Sequence, residues 1–139
     1  MAMTATARRV GKGLEHEVLV NGRHTITTDE PERLGGGDRG PAPHELLAAT
    51  LAACVATMVA SYAQNRGWEI GQASADVSYD TDGSPRRLVV ELHLPASLSV
   101  EQRKRLERVA ATCPVRRALE EGFSFEERTI YEAAPGLAA

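Results

Sequence analysis

The sequence predicts an α+β fold in one domain. An Asn-Gly turn lies between two short β-prone runs near the N-terminus, a long uncharged helical stretch occupies the middle, and two alternating apolar-polar segments precede further helix signals. Hairpin, long helix, strand pair, paired helices and a final strand, in this order, are typical of an α+β protein. The 139 residues fit a single domain, and we expect residues 1–12 and 133–139 to be flexible tails.

The N-terminal part predicts a hairpin followed by a loop. Asn21-Gly22 separates Val18–Val20 from Arg23–Thr28, and Asn-Gly favours the positive φ angles of a type I′ turn. Asp29–Pro43 holds too many Gly and Pro residues for regular structure, so we expect a loop there. The Gly35–Gly37 run does not indicate a phosphate-binding loop, because no Lys-Ser or Lys-Thr follows it.

The long helix is predicted over His44–Arg66, with Pro43 suited to the first turn and Gly67 to the C-terminal cap. No charge occurs from Leu46 to Ala63, so a membrane span has to be considered. Hydroxyl residues interrupt the stretch, and alanine supplies much of its apolar character. We therefore expect a helix buried between the layers of a soluble protein, with no membrane partner.

The following segments predict two paired strands. Residues of Ala73–Tyr79 alternate apolar with polar, a turn follows at Asp82–Pro85, and Leu88–Leu94 alternates again. A period of two is expected of strands with one buried face, and the short turn favours antiparallel pairing.

The C-terminal part predicts two helices and a last strand. Ser99 and Gln102 have the capping-box spacing and open a helix with the apolar stripe Leu106, Val109 and Ala110. Cys113-Pro114 ends this helix, and a short helix follows from Pro114 to Gly122. Phe123–Tyr131 is predicted to be a strand.

Charge and the N-terminus limit the partners and the compartment. The chain has 16 basic and 19 acidic residues, a net charge of −3, which offers no general attraction for nucleic acid or an anionic membrane. Met1–Arg9 lacks the apolar stretch of a secretory signal, so we expect a cytoplasmic protein.

The two cysteines of the chain, Cys54 and Cys113, are the candidate reactive groups. Cys54 lies in the middle of the long helix, a setting that equally suits a small core residue. Cys113 precedes a helix start with Arg116 and Arg117 close behind, a setting that favours the thiolate. No His, Asp or Cys stands at ligand spacing from either cysteine, so we expect no metal or other cofactor. The remaining alternatives are buried structural thiols and one redox site.

Three motifs together carry a family resemblance: GPAPHELLAATLAAC at 40–54, RGW at 66–68 and CPVRRALE at 113–120. This pattern resembles the OsmC/Ohr family of osmotically inducible proteins and organic hydroperoxide reductases. The resemblance implies antiparallel sheets packed around a long buried cysteine-bearing helix, in an intertwined homodimer with two sites at the subunit interface.

The same resemblance implies a thiol-dependent peroxidase that reduces organic hydroperoxides. Cys54 would attack the O–O bond and become a sulfenic acid, and Cys113 would condense with it to a disulfide. A dithiol reductant, either a lipoyl protein or a small thiol, would restore the pair. Two alternatives remain open: a redox-sensing or small-molecule-binding stress protein with little peroxidase turnover, and a structural dimer with inert cysteines.

The family also uses an arginine near the N-terminal hairpin and a glutamate at the start of the helix. Arg23 and Arg39 both fit the arginine role, while His44 stands at the glutamate position of the reductases and Glu45 at the acidic position of the OsmC type. At about 1.5 Å per residue, His44 and Glu45 lie roughly 14–15 Å along the helix from Cys54. Either would therefore act through a long arginine or from the partner subunit.

Overall fold

Two antiparallel sheets and three α-helices make up the computed structural model, which describes residues 2–133. The predicted α+β class is confirmed. In chain order the elements are β1 (Ala5–Arg9), β2 (His16–Val20), β3 (His24–Thr28), a 3₁₀ turn (Glu32–Leu34), α1 (Glu45–Asn65), β4 (Ser74–Asp80), β5 (Arg87–His93), α2 (Val100–Ala111) and α3 (Pro114–Glu121).

The N-terminal sheet has the order β1-β2-β3, with β2 in the centre. Asn21 and Gly22 have φ angles of 54° and 70°, and the Arg23 N–H donates to the Val20 carbonyl, which confirms the predicted hairpin. The expectation of a flexible tail over residues 1–12 is wrong for Ala5–Arg9, because this segment pairs with β2 along its whole length. Every residue of β1 is exposed, so the strand lacks the apolar alternation that would have revealed it.

Helix α1 packs against the two-stranded sheet of β4 and β5. The predicted helix is confirmed, one residue shorter at each end, because His44 and Arg66 are its flanking cap residues. Its fully buried side chains recur every four residues and form one stripe: Leu51, Val55, Val59 and Ala63. Strands β4 and β5 pair antiparallel over seven residues each, as predicted, and their inner face packs on this stripe.

The opposite face of α1 is open in the single chain, although we expected a helix buried between two layers. Ala49, Ala53, Thr57 and Ala60 on this face are exposed. By length and composition α1 could cross a membrane, since an 18-residue window has a mean hydropathy of 1.8. Its buried stripe, however, packs against β4, α2 and α3 as a core helix does.

The single chain exposes much more surface than its mass predicts. Its accessible surface is 10978 Å². A compact monomer of this mass, 15.0 kDa, is expected to expose about 7,000 Å². A large area that compact proteins of this size bury is therefore uncovered in one copy.

Helices α2 and α3 begin where the sequence predicts. Ser99 and Gln102 form the capping box of α2, and Leu106 is fully buried against Val59 and Ala63 of α1. Helix α3 starts at Pro114 and ends before Gly122.

The C-terminal segment Phe123–Tyr131 is not a strand, so this prediction is wrong. Within residues 2–133 it has no hydrogen-bonded strand neighbour, which a strand requires. Its large side chains point into solvent, with Phe125 87% and Tyr131 92% exposed. The tail predicted over 133–139 lies outside the described residues except for Ala133.

Candidate functional site

The structure brings Cys54 and Cys113 together as a pair of free thiols within hydrogen-bonding distance. Cys54 is half-buried on α1, and Cys113 is fully buried between α2 and α3. The Cys-Pro step places it there, because proline ends α2 and turns the chain back toward α1. Leu51 and Val55, on the turns of α1 beside Cys54, pack directly on Cys113.

The surroundings of the Cys54 thiol act in opposite directions. Burial raises the pKa of Cys54. The hydrogen bond with Cys113 raises it further, because this bond stabilises the protonated form of Cys54. The backbone N–H of Val115 donates to the Cys54 sulfur and lowers the pKa. The balance leaves the pKa of Cys54 above its ordinary value, so in the single chain the thiol is held in its protonated form.

The N-terminal end of α3 is directed at Cys54 rather than at Cys113. The sequence predicts that this helix end favours a thiolate at Cys113, but Cys113 makes no capping hydrogen bond to its own helix. The N–H of Val115, in the first turn of α3, instead reaches Cys54 across the helix interface. Arg116 is engaged elsewhere, since its Nε lies 2.7 Å from the Glu120 carboxylate. The helix end therefore acts on the mid-helix thiol.

An apolar groove opens beside the thiol pair. It has a volume of about 500 Å³ and lies between α1, β5 and α3. The Arg116–Glu120 ion pair and four aliphatic side chains line the groove. The aliphatic residues are Leu51, Leu88, Val90 and Leu119. Because Leu51 also packs on Cys113, the groove reaches the wall of the thiol site. Its lining suits an apolar group of a small molecule.

Arg39 belongs to a loop whose backbone is hydrogen-bonded to one buried carboxylate. The Asp29 side chain, 2% exposed, accepts hydrogen bonds from the backbone N–H groups of Glu30, Gly37 and Arg39. Burial acts to raise the pKa of Asp29, but these three donors and the Arg39 charge outweigh it and hold the pKa below its usual value. The Arg39 Nε then lies 2.9 Å from the Glu15 carboxylate, just before β2.

The other predicted site residues lie elsewhere. Arg23 follows the hairpin turn and is exposed, with no ion pair among residues 2–133. His44 Nε2 lies 3.1 Å from the Tyr79 hydroxyl, and Glu45 is exposed in the first turn of α1. The described groups that act on the Cys54 thiol are Cys113 and Val115. One copy of the chain thus brings the two thiols together, but brings neither arginine to them.

Several residues of these sites were not predicted from the sequence. Asp29 and Glu15 give no local signal, since their partners are backbone groups or a residue 24 positions away. Asp76, Glu91 and His93 lie on one exposed face of β4 and β5, with ligand atoms within 4.8 Å of one another. The alternation of the two strands predicts that these three side chains share a face. The His93 Nε2 lies 3.0 Å from Asp76, and this surface group is separate from the thiols.

Comparison with known proteins identifies the class. The family model described as OsmC-like protein matches residues 35–128, which include both cysteines, and the chain belongs to this family. No curated protein matches the sequence.

Solved structures share the fold. A Psychrobacter arcticus protein assigned to the osmotic stress and detoxification response is 25% identical, with a TM-score of 0.70 over 82% of this chain and 85% of that chain. An organic hydroperoxide resistance protein, OsmC, of Legionella pneumophila is 24% identical, with a TM-score of 0.59 over 86% of this chain and 89% of that chain. The organic hydroperoxide resistance protein OhrB of Bacillus subtilis is 23% identical, with a TM-score of 0.51 over 84% of this chain and 89% of that chain.

Proposed function

We propose that the protein is a thiol-dependent peroxidase that reduces organic hydroperoxides. The observation that carries this proposal is the direct contact between the thiols of Cys54 and Cys113 in a chain of the OsmC-like family. The apolar groove beside the pair supports an organic rather than an inorganic substrate, since it offers aliphatic contacts to an alkyl group.

The chemistry follows from the pair. The Cys54 thiolate attacks one oxygen of the hydroperoxide, the O–O bond breaks, and the second oxygen leaves as an alcohol after taking a proton. The resulting Cys54 sulfenic acid condenses with the Cys113 thiol, which forms the disulfide and releases water. A dithiol, from a lipoyl protein or a small molecule, then reduces the disulfide and is itself oxidised to a disulfide.

We propose a homodimer as the active form. One copy exposes about 11,000 Å², which exceeds the expectation for a compact monomer by roughly 4,000 Å². The open face of α1 and the exposed aromatic side chains of 123–131 belong to this excess. Light scattering on the protein eluting from a gel-filtration column should give twice the chain mass at micromolar concentration, and a monomer there would contradict the dimer.

Of the two arginines, we propose that Arg39 stabilises the Cys54 thiolate, and that it does so across the dimer. The Asp29 side chain accepts a hydrogen bond from the Arg39 backbone N–H, and Glu15 pairs with the Arg39 guanidinium, whereas Arg23 forms no ion pair among the described residues. A preorganised cation is more effective at a developing negative charge than a mobile one. We expect Arg39→Gln to lower turnover roughly tenfold or more, and the matched Arg23→Gln to leave it within about twofold.

The decisive experiment is a peroxide assay with cumene hydroperoxide and hydrogen peroxide, using a dithiol as reductant. The wild type should prefer the organic substrate, and mass spectrometry after one equivalent should find a Cys54–Cys113 disulfide. Cys54→Ser should abolish turnover, and activity that persists in this variant would overturn the mechanism.

Mixing the inactive Cys54→Ser with the impaired Arg39→Gln tests the action of Arg39 across the dimer. When Cys54→Ser and Arg39→Gln exchange subunits at equal amounts, half the dimers are mixed, and each has one site with an intact Cys54 and the partner chain's Arg39. About a quarter of the wild-type sites should then be active. If Arg39 acts within its own chain, the mixture should show no more than the average activity of the two variants measured separately.

A second candidate is a redox sensor of the same fold that reacts slowly. The raised pKa of Cys54 favours it, because a protonated thiol is a poor nucleophile. Catalytic turnover with a dithiol separates the two: the sensor would form the disulfide with one equivalent of peroxide but would not cycle.

A further inference from the structure

Three arginines lie close to the side chain of Tyr62, where α1 packs against α2. Arg105 Nη1 donates a hydrogen bond of 3.0 Å to the Tyr62 hydroxyl oxygen. The guanidinium carbon of Arg66 lies 3.6 Å from the centre of the Tyr62 ring. Arg108, one turn after Arg105, also acts electrostatically on the same phenol. The ring of Trp68 meets Tyr62 edge-on, with ring centres 5.8 Å apart.

This concentration of positive charge includes no ion pair within residues 2–133. None of Arg66, Arg105 and Arg108 forms an ion pair there, and the acidic group that acts on Arg105 is Glu101, one turn before it on α2. Like charges held close together repel, and a bound anion would relieve this repulsion. The net charge of the whole chain is −3, which makes this local excess stand out.

A pocket opens at the same place. It has a volume of about 370 Å³ and is lined by Tyr62, Arg105, Arg108, Val109 and Thr112. The Arg105 hydrogen bond lowers the pKa of Tyr62; burial opposes this, and the charges of the three arginines add to the lowering. The pocket is open to solvent and has the size of a small-molecule site.

We propose that this pocket binds the oxyanion of a small molecule, a phosphate or a carboxylate group. Guanidinium groups present paired N–H donors that match the oxygens of these anions. The pocket reaches Thr112, the residue before Cys113 in the chain. The site does not depend on the peroxidase proposal, because none of its residues takes part in the thiol chemistry.

Trp68 provides the measurement, since it is the single tryptophan of the chain and contacts Tyr62. The full chain is titrated with inorganic phosphate and, separately, with succinate, at constant ionic strength set with sodium chloride. Saturable change of Trp68 fluorescence is expected with at least one of them. Arg105→Gln and Arg108→Gln should each weaken binding roughly tenfold, whereas Lys104→Gln, which removes the same charge from α2 without changing a pocket residue, should weaken it less than about twofold.

The two titrations distinguish a phosphate ligand from a carboxylate ligand. Saturation by phosphate alone identifies a phosphate site, and saturation by succinate alone a carboxylate site. No saturation by either anion, or equal weakening by Arg105→Gln and Lys104→Gln, would overturn the proposal. Should an arginine variant fail to fold, amide chemical shifts of the wild type during the titration decide instead: they should move at Arg105, Arg108 and Thr112, and shifts confined to other residues would refute the site.

Discussion

Removal of the second thiol should make Cys54 react faster with alkylating reagents. Two of the three influences that raise the pKa of Cys54 come from Cys113: the hydrogen bond between the thiols and the charge that Cys113 carries when ionised. In Cys113→Ala both are lost, while the N–H of Val115 still lowers the pKa. The pKa of Cys54 should therefore fall in this variant.

The size of the effect follows from the competition between two trends. Below the pKa, each unit by which the pKa falls raises the thiolate fraction about tenfold, but it weakens the thiolate as a nucleophile about threefold. The alkylation rate at neutral pH should therefore rise about threefold per unit. At high pH, where both proteins are fully ionised, the variant should be the slower of the two. The two pH–rate profiles must cross.

The assay is the rate of iodoacetamide labelling of Cys54 from pH 6 to 11, read by mass spectrometry of the peptide. Cys54→Ser gives the background. Val115→Ala is the matched control, because it trims a side chain that packs against the thiol pair but keeps the N–H that reaches Cys54. Wider access alone would raise the rate of Cys113→Ala equally at every pH. If the midpoint of the pH–rate profile of Cys113→Ala is equal to or higher than that of the wild type, the proposed origin of the pKa shift is refuted.

The remaining predictions concern stability. Gly36→Ala should cost about 1–3 kcal/mol, because its Cβ would overlap the backbone carbonyl of Glu30, whereas Gly13→Ala, whose Cβ meets open space, should be near neutral in thermal denaturation. Leu106→Ala removes a fully buried side chain and should cost about 2–5 kcal/mol in urea unfolding; a loss below 1 kcal/mol would contradict its place in the core. The folded-state pKa of Asp29 is lowered, so its contribution is present above the unfolded pKa of about 4 and is lost as pH falls through the folded value. Asp29→Asn should therefore be less stable at neutral pH and show a shallower acid transition.

Local rules were sufficient for much of the fold. Pro43 and Gly67 delimit α1 because one suits a first helical turn and the other its termination, and both depend only on neighbouring backbone angles. The Asn21-Gly22 turn and the capping box of α2 succeeded for the same reason. The proximity of Cys54 and Cys113, 59 positions apart, could not follow from such rules and was suggested by family resemblance.

The errors occur where structure depends on long-range partners. Strand β1 exists because β2 offers a free edge, and no property of Ala5–Arg9 itself reveals this. Phe123–Tyr131 has strand-like composition, but the described part of the chain offers it no edge to pair with. The helix end of α3 was expected to favour a thiolate at Cys113, because sequence gives adjacency along the chain and not the direction of an N–H in space.

The homodimer that we propose would explain three features of the single chain together. The Cys54 thiol is protonated where a peroxidase needs a thiolate, Arg39 is paired with Glu15, and the apolar face of α1 is open to solvent. In one copy, none of these three features favours the reaction of Cys54 with a peroxide. A second copy packed on α1 would remove water from that face, and burial of Cys54 alone would then raise its pKa further. In the peroxidase that we propose, the same contact therefore has to deliver a cation to the thiol, and the interface would then be part of the proposed catalytic site.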